Sequence, residues 1–114
     1  MDINDMVKAT RATWKVTPSG SYEGMDVELI YSTLGVGSET GELENLVKKY
    51  FRKKYYTDGH SFEKDEIMRK IEDELADVLY YTFRVSDLLK IDLGKVFSEK
   101  MEENARRYND ANKS

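Results

Sequence analysis

Twenty-two aspartates and glutamates occur in a chain of 114 residues, and many come in pairs three residues apart, the spacing that places two carboxylates on one helix face. Asp2/Asp5, Glu23/Asp26, Glu39/Glu42, Glu63/Glu66, Glu74/Asp77 and Glu99/Glu102 all follow it. In so acidic a chain most such pairs are solvated surface faces. Two have different surroundings. Glu39 and Glu42 lie among Gly35, Gly37 and Gly41 with no basic residue beside them, and lead into the apolar stripe Leu43, Leu46, Val47, Tyr50 and Phe51. Glu74 and Asp77 lie in EDELADVLYY, bracketed by Ile71, Leu75, Val78 and Leu79. Four carboxylates bordering a core cannot all stay ionised without compensation, so either their pKa values rise or a cation enters. Oxygen-only ligands select Mg2+, Mn2+ or Ca2+ over zinc, and a few carboxylates plus water suit Mg2+ bridging to phosphates. A di-iron site needs Glu-x-x-His on two helices. The only histidine, His60 in the loop TDGHS, does not supply it and reads as an exposed loop residue.

The residues that extend these two faces fit an anionic aromatic ligand. Lys49 and Arg52 follow Glu42 by seven and ten residues within KKYFRKK, and Tyr81 and Arg84 follow Asp77 by four and seven. Charge for phosphates and a ring for a base are what a nucleoside polyphosphate requires. Taken singly, each has a plainer reading: the basic run as a solvated face, Tyr81 as a core aromatic, Trp14 as a packing anchor.

The elements that must position these groups are helical. Ile3, Met6, Val7, Thr10 and Trp14 form a short amphipathic stripe that Asp2 can cap, and the turn-rich run KVTPSGSYEG around Pro18 ends it. A second helix extends to about Tyr55, with a bend or loosening expected at its glycines. From Phe62 to Leu89 the apolar positions keep helical spacing for over six turns. The last helix starts at Asp92, an N-cap with Ile91 and Val96 as a hydrophobic staple, and fraying is expected from about residue 109. With no period-2 pattern and no repeat, the expectation is one domain over residues 1–114, an all-α four-helix bundle. The net charge of -4 argues against binding a nucleic-acid backbone. The absence of cysteine fits an intracellular, cytoplasmic protein, and no apolar run approaches a membrane span or a signal peptide.

SETGEL and DELADVLYY together resemble the ExxE and ExxD motifs of the MazG-like all-α nucleoside triphosphate pyrophosphohydrolases. YSTLGVGSETGELENLVKK is similar to that family's first acidic helix, and KIDLGKVFSEKMEENARRY to its closing one. The resemblance implies Mg2+-dependent hydrolysis, with Mn2+ as a substitute, of a nucleoside or deoxynucleoside triphosphate to the monophosphate and pyrophosphate. It implies that Glu39, Glu42, Glu74 and Asp77 hold metal, with one of Glu39 and Glu42 taking the proton from water. To Lys49 and Arg52, read above from their spacing as substrate contacts, it adds Lys100, Asn104 and Arg107, places Tyr81 near the base, and implies a homodimer or homotetramer that completes the bundle or the pocket. Two departures accompany it: the long 43–73 connection, and an N-terminal segment that offers Trp14 but no second ring. Alternatives are a non-catalytic nucleotide-binding bundle, or hydrolysis of phosphoribosyl-ATP or an alarmone.

Overall fold

The computed structural model describes residues 1–13, 25–56 and 61–112; Trp14, Pro18 and His60 lie outside them. Four helices follow one another: α1 (Ile3–Thr10), continued by a short 3-10 turn (Arg11–Thr13), α2 (Met25–Tyr56), α3 (Ser61–Leu88) and α4 (Leu93–Asn112). No strand occurs among the described residues, so the protein is all-α. None of these helices is long and apolar enough to cross a membrane.

α1 starts where the sequence places it. Asp2 and Asp5 form a capping box, the Asp5 amide donating to Asp2 Oδ1 at 2.7 Å and the Asp2 amide to Asp5 Oδ2 at 3.3 Å, which satisfies two otherwise orphaned donors. Val7 and Thr10 are its buried residues, and helical geometry tightens to a 3-10 turn after Thr10. α2 runs unbroken for 32 residues through all three glycines, against the expected loosening. The reason lies in its packing on antiparallel α3, which outweighs the low helix propensity of glycine.

At Gly35 the two helices need the missing side chain: a Cβ there would lie 2.5–2.7 Å from the Tyr81 ring. Gly37 and Gly41 face open space, with nothing within 4 Å of an added Cβ. Three residues earlier on the same face, Ser32 is fully buried, so small residues bring α3 close to this part of α2.

α3 ends in a Schellman motif, with the Ile91 amide donating to Ser86 O at 2.9 Å and the Lys90 amide to Asp87 O at 3.2 Å. Lys90 takes the left-handed conformation, φ 56°, that this motif usually assigns to glycine. Asp92 then caps α4, accepting from the Lys95 amide at 3.2 Å, and α4 stays helical to Asn112, past the point of expected fraying.

The chain is extended for its size. Its radius of gyration is 18.4 Å, against about 13 Å for a compact domain of this length. Val7 is the one buried apolar side chain among the described residues, while Leu34 is 68% exposed and Leu75, Leu79, Phe51, Phe97 and Met101 stand about half exposed. α3 packs on α2 and α1, whereas α4 has α1 as its main neighbour and leaves its apolar face uncovered.

Backbone substitutions test these placements by chemical denaturation. Gly37→Ala and Gly41→Ala should each raise stability by about 1 kcal/mol, the propensity difference at an open helical site, whereas Gly35→Ala should lower it. Lys90→Gly should raise stability by roughly 0.5 kcal/mol, relief of left-handed strain offset in part by the larger chain entropy of glycine.

Candidate metal centre

The face of α2 that meets α3 carries Glu28, Ser32, Gly35, Glu39 and Glu42, and the facing residues of α3 are Arg84, Tyr81, Asp77 and Glu74. At the end of this seam away from Arg84, one carboxylate oxygen from each of Glu39, Glu74 and Asp77 lies within 4.8 Å of the others. Glu39 and Glu74 are half-buried and Asp77 is exposed. Glu42, also exposed, stands at the edge of the group beside Glu74.

Like charges this close oppose ionisation. The Glu74 carboxyl is pushed up to about 8, first by proton sharing with Glu39, then by burial and by Glu42. Glu39 Oε2 and Glu74 Oε2 are buried with no hydrogen-bond partner among the described residues. Two orphaned buried carboxylate oxygens in an all-oxygen set fit a hard divalent cation, which would supply both the missing contacts and the missing charge.

The nearest buried cation on the seam is already engaged. Arg84, 1% exposed, donates to Glu28 Oε2 at 2.9 Å and lies 5.7 Å from the Tyr80 ring centroid. Its spacing from Asp77 had placed it beside phosphates, but the same spacing carries it along the seam to Glu28, where it is enclosed.

Aromatic groups flank the carboxylates. Tyr81, seated on Gly35, meets Tyr31 edge-on at 6.3 Å and Tyr80 at 5.3 Å between centroids. Tyr31, Leu34, Gly35, Ser38, Glu39 and Tyr81 line a cleft of about 330 Å³. Thr13, Glu39, Asp77, Tyr80 and Tyr81 line a second cleft of about 410 Å³, in which the Thr13 hydroxyl donates to the Tyr80 hydroxyl at 3.3 Å. Burial, then the neighbouring Tyr31, raises the Tyr81 pKa, so its hydroxyl stays neutral.

The expected basic ligands are distributed differently. Lys49 and Arg52 are exposed on α2, about 10 and 15 Å of helix rise beyond Glu42. The cation in the cleft beside Glu42 and Glu74 is instead Lys70, four residues before Glu74, which also lies 3.8 Å from Glu66. Lys100, Asn104 and Arg107 are exposed on α4, with Lys100 and Arg107 both directed at Glu103. Tyr31 and Lys70 were legible in principle, since both keep the three-or-four spacing of the acidic faces. Thr13 carries no such signal and arrives through the packing of α1.

The raised Glu74 pKa fixes the sign of a pH effect. Between the usual glutamate range and about pH 8 the folded state holds a proton that the unfolded chain has lost, so stability falls as pH rises through that window. Thermal melts of the metal-free protein should show this decline between about pH 5 and 8, from just above the usual glutamate pKa to the raised one, and Glu74→Gln should flatten it. A wild-type melting temperature that rises across the window would contradict the assignment.

No curated protein and no solved structure gives a significant match to the chain. The family model described as MazG nucleotide pyrophosphohydrolase domain matches residues 32–111, more than half of the chain and a span that includes Glu39, Glu42, Glu74 and Asp77. The seam of paired acids thus sits inside a recognised domain, and the chain belongs to the MazG nucleotide pyrophosphohydrolase family.

Proposed function

We propose that the protein hydrolyses a nucleoside or deoxynucleoside triphosphate to the monophosphate and pyrophosphate, with Mg2+, or Mn2+ in its place, held at the seam. The observation that carries this reading is the Glu39–Glu74–Asp77 group with its two unpartnered buried oxygens. A bound divalent ion supplies positive charge against the phosphates and acidifies a water molecule. Glu39, Glu74 and Asp77 hold it, with Glu42 at the rim.

Glu42 is exposed and adjacent to Glu74, which suits it to accept the proton of the attacking water. Water adds to phosphorus as the bridging oxygen leaves with pyrophosphate, so one phosphoanhydride bond is exchanged for one P–O bond and a proton. Tyr31, Leu34 and Tyr81 offer an apolar wall for the base next to Glu39. Lys70 shares a cleft with Glu42 and Glu74 and would steady released phosphates.

A second copy of the chain completes the reading. The half-exposed Leu75 and Leu79 of α3 and Val96, Phe97 and Met101 of α4 are apolar surface that a partner copy would cover. Lys100, Asn104 and Arg107 on α4 would then reach substrate across the dimer or tetramer interface.

The direct test is pyrophosphate release from a panel of ribo- and deoxynucleoside triphosphates with Mg2+ or chelator. Metal-dependent release with equimolar monophosphate is expected, and Asp77→Asn or Glu39→Gln should reduce it by at least about a hundredfold, the loss of transition-state charge stabilisation. Retained nucleotide binding without product would favour a binding-only bundle. Mixing Glu74→Gln with Lys100→Ala subunits should restore part of the activity that each lacks alone if the site is shared between copies.

A further inference from the structure

α4 is tied to the rest of the chain at its first turn. Asn4 Nδ2 donates to Asp92 Oδ1 at 2.9 Å, and Asn4 Oδ1 accepts from the Gly94 amide at 3.1 Å. Asp92 itself takes the Lys95 amide, so one carboxamide from α1 and one carboxylate satisfy two of the amides that a helix start leaves open. Gly94 fits this approach closely, since a Cβ there would lie 3.3 Å from both polar atoms of the Asn4 side chain. The Asp92 carboxyl is held below its usual range, first by Asn4 and then by the Lys95 amide.

The other end of α1 is fastened to α3. Arg11 Nε donates to Asp87 Oδ2 at 2.8 Å, and a second guanidinium nitrogen reaches the other carboxylate oxygen. α1 therefore spans from the last turns of α3 to the first turn of α4. It lies outside the span matched by the family model.

We propose that α1 is a brace, and that Asn4 is a positioning residue which fixes the angle at which α4 leaves the α2–α3 hairpin. α4 has α1 as its main neighbour, and the only covalent tie is the turn through left-handed Lys90. Leverage makes the angle matter: Arg107 lies 14 residues into α4, about 21 Å along its axis, so a swing of about 10° moves it by roughly 4 Å. A displacement of that size exceeds the reach of a hydrogen bond, so it separates a substrate-contacting side chain from its ligand. The effect on turnover rests on the function proposed above; the effect on the helix angle does not.

The test uses the cysteine-free full chain. Nitroxide labels are placed at Glu72→Cys on α3 and Glu102→Cys on α4, both exposed positions, and the labelled protein is diluted with unlabelled chain so that distances within one chain are read by double electron–electron resonance. A single narrow distance distribution is expected in the otherwise unaltered protein. Asn4→Ala should broaden it at least twofold, and Gly94→Ala, which crowds the carboxamide without altering α1, should do the same. The double variant should be no broader than Asn4→Ala, because both changes remove one contact. With an active triphosphate, KM should rise several-fold while kcat changes less than twofold. An unchanged distribution in both single variants overturns the brace. A broadened distribution in a chain that turns over no triphosphate supports the brace and counts against the proposed function alone. If Asn4→Ala fails to fold, Gly94→Ala decides the matter.

Discussion

The rest of the structure follows from one constraint: the face on which the two long helices meet is polar. Glu28, Ser32, Gly35, Glu39 and Glu42 recur at intervals of four, three, four and three along α2, the rhythm that in a two-helix coil is occupied by leucine and isoleucine. Opposite them stand Arg84, Tyr81, Asp77 and Glu74. A hairpin joined in this way gains little hydrophobic free energy from its own contact. Leu34, Leu75 and Leu79 stay about half exposed or more, in keeping with the extended shape and with Val7 as the one buried apolar side chain among the described residues.

Along that seam the chemistry is zoned. At one end the Arg84–Glu28 pair cancels its own charge in a buried setting, where loss of either member would leave an isolated ion. In the middle the small residues admit Tyr81. Beyond it the carboxylates gather, and the positive charge they need is not delivered by the buried arginine two turns away. The shifted proton affinity of Glu74 and the orphaned oxygens are two expressions of this deficit.

Much of this was legible in the residues. The three-residue spacing of the acids, their apolar bracketing, the Asp2 and Asp92 caps and all four helices were readable because each depends on neighbours within two turns. What depended on register between helices was not. Arg84 and Tyr81 both follow Asp77 at helical spacing, yet one meets Glu28 and is enclosed while the other lines two clefts. Three glycines in succession looked equivalent, and only Gly35 is opposite a ring. Lys49 and Lys70 are both basic residues near acidic faces, and only the pairing of α2 with α3 selects the second. The Asn4 contact joins residues about ninety positions apart and has no local signature.

The seat of Tyr81 has a bearing on affinity. A tyrosine on an open helix face samples several rotamers, and a ligand that stacks on it must immobilise it, at about 0.5–1.5 kcal/mol for an ordered side chain. Here the ring lies against the bare backbone of Gly35, with Tyr31 and Tyr80 at its edges. Its conformational freedom is given up when the helices pack, before any ligand arrives, so the wall it forms is a preorganised surface.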